Sequence, residues 1–123
     1  MKTGLVIEDD ENNMVLVTRL LGKAGYLTVR ATTGLQGVEM ALRLKPDFII
    51  LDIQLPDIDG TEVLRRIRES ETGGAVPIIA MTSYAMAGDR EKLLIAGCDE
   101  YVEKPIDPQR VIAQIKTAIG DLS

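Results

Sequence analysis

The residues of this sequence that are best suited to chemistry are acidic, and they stand where apolar stretches end. Asp52 follows the apolar residues 48–51, which are typical of a strand buried on both faces of a parallel sheet. Glu8 and Asp9 follow a second short apolar run, residues 5–7. In open α/β sheets, ligands bind at the carboxyl ends of the strands. A buried strand that ends in Asp52 therefore places this carboxylate for chemistry.

Two further polar groups follow other predicted strands. Thr82 comes after residues 76–81, and Lys104 comes shortly after residues 100–102. If the first, third, fourth and fifth strands are neighbours, all these groups share one edge of the sheet. Three crowded carboxylates repel, since a like pair ~4 Å apart costs about 4 kcal/mol at an effective dielectric of 20. Such a site takes up a proton or recruits a cation.

The ligand types available at this edge indicate which cation it would be. The sequence contains no histidine, and its single cysteine, Cys98, lies elsewhere, so softer metal ligands are not offered. Oxygen ligands favour a hard divalent ion, and Mg²⁺ commonly binds a few carboxylates together with water and phosphate oxygens. A carboxylate beside Mg²⁺, an ammonium group and a hydroxyl group is a site for phosphoryl transfer to that carboxylate.

The elements that must position these groups alternate regularly along the chain. Predicted strands cover residues 5–7, 28–31, 48–51, 76–81 and 100–102, the second being the weakest and suited to a sheet edge. Predicted helices cover roughly residues 12–24, 33–44, 61–70, 86–96 and 107–119. Five βα units predict the α/β class: a three-layer, doubly wound parallel (βα)5 sheet with right-handed crossovers. The residue pattern leaves two common strand orders open.

Composition limits the class of protein. A chain of 123 residues with 46% hydrophobic and 27% charged residues is expected to form one globular domain. It has neither the ~20 consecutive apolar residues of a membrane span nor a signal segment at Met1. A net charge of −5 argues against direct nucleic-acid binding. The single cysteine excludes an internal disulfide and favours a cytoplasmic location.

Taken together, these motifs resemble the receiver domain of two-component response regulators. The resemblance rests on Glu8-Asp9, Asp52, Thr82 and Lys104-Pro105, with a tyrosine three residues before the lysine, and it covers the whole chain, residues 1–123. It implies one receiver domain with the flavodoxin-like fold. Within the family, residues 82–89 are most similar to stand-alone DivK-like receivers and to the receivers of hybrid histidine kinases.

The resemblance implies a role for each residue of the site. Asp52 would be the phosphoacceptor that attacks a phosphohistidine. Glu8 and Asp9 would hold Mg²⁺, with Mn²⁺ as an alternative, together with Asp52 and the backbone carbonyl of Gln54. Lys104 would pair with the phosphoryl oxygens.

The resemblance also implies a switch. The hydroxyl of Thr82 would bind the phosphoryl group, and Tyr101 would then turn inward and change the surface of the fourth helix, fifth strand and fifth helix. Gln54 and Tyr84 occupy positions that tune how fast water removes the phosphate. Pro105 is expected to follow a cis peptide bond, and Ser83 stands where the family often has alanine.

The implied partners are proteins: a histidine kinase or histidine phosphotransfer protein, and a downstream protein target. The domain is expected to be monomeric, with dimerisation on phosphorylation left open. The chain stops at Ser123, directly after the last predicted helix, so it either acts through protein contacts or is a receiver taken from a longer polypeptide. The first helix is expected to turn one side to the sheet, with Leu16, Val17, Leu20 and Ala24. This leaves Val15 pointing away and Met14 at the edge as candidate kinase-docking residues.

Several other interpretations fit less well. Residues 57–61 spell the DxDGT signature of haloacid-dehalogenase-type phosphatases, but Pro56 precedes Asp57, whereas that nucleophile must stand directly at a strand end. As a calcium EF-hand the same loop fails, because Leu55 and Arg66 would occupy its first and twelfth positions. No GxxxxGK[ST] motif for a nucleotide is present. The non-enzymatic alternative is a degenerate receiver that binds its partners without phosphate.

Overall fold

Five βα units make up the protein in the computed structural model, which describes residues 1–70, 75–83 and 89–121. The strands are β1 (Thr3–Ile7), β2 (Leu27–Ala31), β3 (Phe48–Asp52), β4 (Ile78–Thr82) and β5 (Glu100–Glu103). The helices are α1 (Glu11–Lys23), α2 (Gly34–Leu44), α3 (Gly60–Glu69), α4 (Asp89–Ala96) and α5 (Pro108–Ile119). The alternation predicted from the sequence is confirmed. The predicted start of the fourth helix near residue 86 lies outside the described residues.

The strand order, which the sequence left open, is β2-β1-β3-β4-β5, and every neighbouring pair is parallel. This is the flavodoxin-like order of doubly wound sheets. It puts β2 at one edge of the sheet, as its weak apolar pattern predicted, and β3 at the centre. The carboxyl ends of β1, β3, β4 and β5 therefore form one continuous rim.

The core lies on both faces of the sheet, because side chains alternate along each strand. Along β3, Ile49 and Leu51 belong to the hydrophobic cluster that contacts α2, α3 and α4. Phe48 and Ile50 belong to the second cluster, which contacts α1 and α5. Because these four side chains are at most 1% exposed, β3 is buried on both faces, as predicted.

Helix α1 turns its Leu16, Val17 and Leu20 side to the core as predicted, but its buried side also includes Met14. Met14, Val17 and Leu21 are its buried apolar residues, with Met14 only 4% exposed. Thr18 is buried beside them because its hydroxyl donates to the carbonyl of Met14 at 2.8 Å, which satisfies the polar group within the helix. The predicted position of Met14 at the edge of a docking surface is therefore wrong, whereas Val15 is 37% exposed.

Helix caps fix several of the boundaries. Thr33 caps α2, and its hydroxyl accepts a hydrogen bond from the N–H of Gln36. Asp10 is exposed and caps α1 by accepting from the N–H of Asn13. β4 begins at Ile78, two residues later than predicted. Within the described ranges, no helix has both the length and the apolar character needed to cross a membrane.

Candidate functional site

Strand register brings the predicted site residues to one rim. The last residue of β1 pairs with Leu51, so Glu8, one residue further on, lies beside Asp52. Asp52 belongs to β3 and pairs with the penultimate residue of β4, which puts Thr82 one residue beyond it. The backbone N–H of Lys104 donates to the carbonyl of Thr82 at 2.8 Å. Residues that are far apart in sequence thus meet because parallel strands end together.

The three acids form a compact cluster. Glu8, Asp9 and Asp52 each offer a carboxylate oxygen, and these three oxygens lie within 4.8 Å of one another. Glu8 is fully buried and Asp52 is 1% exposed, whereas Asp9 is exposed to solvent. The cluster is therefore open on the Asp9 side and closed toward the sheet, and it could hold a metal ion.

Lys104 joins the two buried acids. Its ammonium nitrogen lies 3.1 Å from Glu8 Oε1 and 3.1 Å from Asp52 Oδ1. The Lys104 side chain is 13% exposed, so both ion pairs are shielded from water. The peptide bond between Lys104 and Pro105 is cis. A single ammonium group thus faces two buried carboxylates.

The pKa values reflect this imbalance of charge. Burial, followed by the hydrogen bond and charge of Asp52, raises the pKa of Glu8 from 4.5 to about 7. Burial lowers the pKa of Lys104, but attraction to Asp52 and Glu8 outweighs it and the pKa is raised. Glu8 Oε1 is buried and shares the Lys104 ammonium with Asp52 Oδ1. Buried carboxylate oxygens that compete for one ammonium group fit a hard divalent cation.

The loop from β3 to α3 borders the cluster and carries Gln54. The N–H of Gln54 donates to Asp52 Oδ1 at 3.1 Å. Its side-chain amide oxygen accepts a hydrogen bond of 2.9 Å from the hydroxyl of Ser83, which follows β4. The family resemblance implied a role for Gln54 and showed Ser83 only as a departure from alanine, and it did not predict that the two residues contact each other. No local pattern could have signalled a bond between residues 29 positions apart.

Asp57, in the same loop, has a role that the sequence did not reveal. Its carboxylate accepts hydrogen bonds from the backbone N–H groups of Gly34 (2.7 Å) and Leu35 (2.9 Å), at the start of α2. These bonds, the one from Leu35 foremost, lower the pKa of Asp57. Asp57 stands in a loop and not at a strand end, so it lacks the position that a dehalogenase-type nucleophile requires.

The remaining predicted residues are distributed around this rim. Thr82 is 2% exposed at the end of β4. Tyr101 pairs with Ala80, is half-buried on β5, and donates its hydroxyl to Glu103 Oε1 at 2.8 Å. Tyr84 lies outside the described residues. The rim thus brings together Glu8, Asp9, Asp52, Gln54, Thr82 and Lys104, whereas Tyr101 lies within β5 and Val15 within α1.

Comparison with known proteins defines the class to which this fold and site belong. The family described as "Response regulator receiver domain" matches residues 5–116. The chain therefore belongs to the response regulator receiver family of two-component signalling. It is 40% identical over 120 residues to the polar-differentiation response regulator DivK of Brucella ovis, covering 98% of each chain.

Solved structures agree with this assignment. The receiver domain of a sensor histidine kinase from Pseudomonas aeruginosa, determined with a magnesium ion coordinated in its active site cleft, is 36% identical with a TM-score of 0.89. The similarity covers 97% of this chain and 98% of that one. The chemotaxis protein CheY4 of Vibrio cholerae has a TM-score of 0.90 at 22% identity, over 96% and 98% of the two chains, and supports the fold alone. The receiver function predicted from the sequence is confirmed at the level of the family.

Proposed function

We propose that Asp52 is the phosphoacceptor through which this receiver takes part in a phosphorelay. The observation that carries the proposal is the position of Asp52 at the rim, with Oδ1 3.1 Å from the ammonium of Lys104 and a carboxylate oxygen within 4.8 Å of Glu8 and Asp9. The rim is open to solvent through Asp9, so a phosphoryl donor can approach.

The chemistry at Asp52 is a transfer from nitrogen to oxygen. A carboxylate oxygen of Asp52 attacks the phosphorus of a phosphohistidine on a kinase or phosphotransfer protein. The new P–O bond forms as the P–N bond breaks, and the imidazole nitrogen keeps the electron pair. Lys104 lies beside the attacking carboxylate and would stabilise the negative charge on the phosphoryl oxygens.

The acid cluster would hold Mg²⁺ through Glu8, Asp9, Asp52 and the backbone carbonyl of Gln54. When bound, this ion would neutralise charge on the phosphoryl oxygens during the transfer. Mn²⁺ prefers similar oxygen ligands and could replace it. Glu8 must give up its proton to act as a ligand, so the raised pKa of Glu8 links metal binding to pH.

The output of the site would be a change in protein contacts. The phosphoryl group on Asp52 would form an ion pair with Lys104 and accept a hydrogen bond from the hydroxyl of Thr82. The space that Thr82 vacates would then let Tyr101 turn inward. The surface formed by α4, β5 and α5 would then favour a downstream protein. The extent of the domain (residues 1–123), dimerisation on phosphorylation and a cytoplasmic location stay predictions.

The decisive experiment is phosphorylation of the purified protein by acetyl phosphate with Mg²⁺, read as intact mass. We expect the wild type and an Asp59→Asn control to gain one phosphoryl group, and Asp52→Asn and the metal-free protein to gain none. Asp59 is a suitable control because its carboxylate caps α3 and is not among the three that form the acid cluster. Modification of the Asp52→Asn variant would overturn the assignment of Asp52. Absence of modification in the wild type, beside a receiver that reacts, would favour the degenerate alternative.

A further inference from the structure

The loop between β3 and α3 is closed at its base. The N–H of Gly60 donates to the carbonyl of Ile53 at 3.0 Å, and the N–H of Ile53 donates to the carbonyl of Met81 at 3.0 Å. A Cβ atom at Gly60 would lie 2.5 Å from the Cα of Ile53, so the two ends of the loop touch as closely as glycine permits. Residues 54–59 therefore project as a closed turn, and Gln54 is its first residue.

The far side of this turn is held by Asp57. Its two carboxylate oxygens accept separate hydrogen bonds from the first two backbone N–H groups of α2, on Gly34 and Leu35. These N–H groups have no acceptor within their own helix, and an ionised acceptor bonds them strongly. A Cβ atom at Gly34 would lie 2.6 Å from the side chain of Ile58, so the loop and the helix approach closely at this point.

We propose that Asp57 is a positioning residue that holds the β3–α3 loop in the conformation required for metal binding, and thereby couples the start of α2 to occupancy of the site. This inference rests on the proposed function, in which the carbonyl of Gln54 is a metal ligand. Asp57 itself binds α2 and is not assigned to the metal.

The physical reason is preorganisation. A loop that is free at its far side must be ordered when the metal binds, and that ordering reduces the affinity. With Asp57 bound to Gly34 and Leu35, the loop is fixed at its base and at its far side before the metal arrives. Coupling between two sites is reciprocal. If the Asp57 bonds increase Mg²⁺ affinity, Mg²⁺ must strengthen those bonds by the same factor.

The chain offers a matched control in Asp59. It lies two residues away in the same loop, borders the same cavity at the rim, and also caps a helix by accepting from the N–H and the hydroxyl of Thr61. Replacing Asp57 or Asp59 by alanine removes one negative charge at nearly the same place. Of the two carboxylates, Asp57 bonds to α2 and Asp59 bonds to α3, so the difference between the variants isolates the positioning effect.

The experiment measures Mg²⁺ affinity by NMR titration and amide hydrogen exchange at Gly34 and Leu35, on the wild type and the Asp57→Ala, Asp57→Asn and Asp59→Ala variants. We expect Asp57→Ala to weaken Mg²⁺ binding about fivefold more than Asp59→Ala. We expect Asp57→Asn, which keeps one acceptor oxygen, to lie between Asp57→Ala and the wild type. In the wild type, Mg²⁺ should slow exchange at both amides, and it should not do so in Asp57→Ala.

The outcomes separate the inference from the proposed function. Equal weakening in Asp57→Ala and Asp59→Ala would show that charge alone matters and would overturn the inference while leaving the metal site intact. Unchanged exchange at Gly34 and Leu35 when Mg²⁺ binds the wild type would also overturn it. A wild type that binds no Mg²⁺ would overturn the proposed metal site, and the inference with it.

Discussion

The hydroxyl of Ser83 donates a 2.9 Å hydrogen bond to the side-chain amide oxygen of Gln54, which connects the segments that follow β4 and β3. Gln54 lies two residues after Asp52, so under the proposed function this bond would hold the Gln54 amide near the path by which water reaches an aspartyl phosphate. We expect Ser83→Ala to release Gln54 and shorten the phosphate lifetime about threefold, in line with the loss of one hydrogen bond worth about 0.7 kcal/mol.

Loss of acetyl-phosphate-derived phosphate after donor removal measures this effect by intact mass. Gln54→Ala should have a similar effect, and the double variant should be no faster than Gln54→Ala alone, because Ser83 acts through Gln54. Additive effects of the two substitutions would contradict the role assigned to this bond. Thr117→Ala, which removes a hydroxyl on α5, should leave the lifetime unchanged.

The raised pKa of Glu8 predicts a pH-dependent stability in the absence of metal. Folded Glu8 keeps its proton up to about pH 7, whereas unfolded Glu8 loses it near 4.5. The unfolded state therefore binds fewer protons between these values, and the free energy of unfolding falls as pH rises through this window, by about 3 kcal/mol. We expect the free energy of unfolding of Glu8→Gln, measured in urea without metal, to rise relative to that of the wild type from pH 5 to 8.

Excess Mg²⁺ should remove much of this difference, since the ion stabilises the ionised Glu8 of the wild type and the glutamine cannot replace that ligand. The comparison between the wild type and Glu8→Gln separates the effect of Glu8 on stability from the effects of the other carboxylates. If the stability curves of the wild type and Glu8→Gln run parallel from pH 5 to 8, the assigned pKa of Glu8 is wrong.

Thr82 tests the proposed switch. Moving a two-state equilibrium from 1:99 to 99:1 takes about 5.5 kcal/mol. A hydrogen bond from the Thr82 hydroxyl to the charged phosphoryl group would supply about 1.5–3 kcal/mol of this free energy. We expect Thr82→Ala to accept phosphate on Asp52, yet to repack the α4, β5 and α5 surface at most partly. NMR shifts on β5, including the Tyr101 signals, measure the repacking, and a full wild-type response would refute the role of Thr82.

Val15 tests kinase docking, because it is the exposed apolar residue of α1, whereas Met14 belongs to the core. The donor is a histidine kinase that phosphorylates the wild type. We expect Val15→Lys to slow phosphoryl transfer from this kinase by about fivefold, as for the loss of an interface contact worth about 1 kcal/mol. Labelling by acetyl phosphate, which needs no docking surface, should be unchanged. Equal slowing with both donors would place the defect in the fold or the acid cluster.

Arg68 is expected to stabilise the fold away from the site. Its guanidinium donates to the carbonyls of Gly97 (2.9 Å) and Val76 (2.6 Å) and to the carboxylate of Asp99 (2.8 Å), which connects α3 to the starts of β4 and β5. The Arg68 side chain is 19% exposed, so its removal leaves the part-buried carbonyls of Gly97 and Val76 without this donor. We expect Arg68→Ala to lower the free energy of unfolding by about 2 kcal/mol in urea denaturation.

Arg65 on the same helix is the matched control. It pairs with Glu62 and Glu69 on the helix surface, and its side chain is 54% exposed. Exposed ion pairs contribute roughly 0–1 kcal/mol, so Arg65→Ala should have little effect. Similar losses in the two variants would show that Arg68 acts through surface charge and not through the connection between the three elements.

The sequence by itself determined the elements and the chemical groups at their ends. Apolar runs and caps such as Thr33 are local signals, because backbone hydrogen bonding and side-chain alternation depend on near neighbours. That is why the five βα units were predicted correctly and why Asp52 was found at the end of a buried strand. The acids after β1 and the lysine after β5 were likewise visible in the order of residues.

Only the tertiary structure decided how these elements pack. The strand order, the rotation of α1 that buries Met14, and the bonds from Asp57 to α2 all depend on contacts between distant segments, for which the sequence carries no local signal. The burial of Glu8 beside Lys104 also depends on contacts between distant segments. The pKa of Glu8 is raised because the fold removes water from the Glu8 and Asp52 carboxylates and leaves them one ammonium group to share.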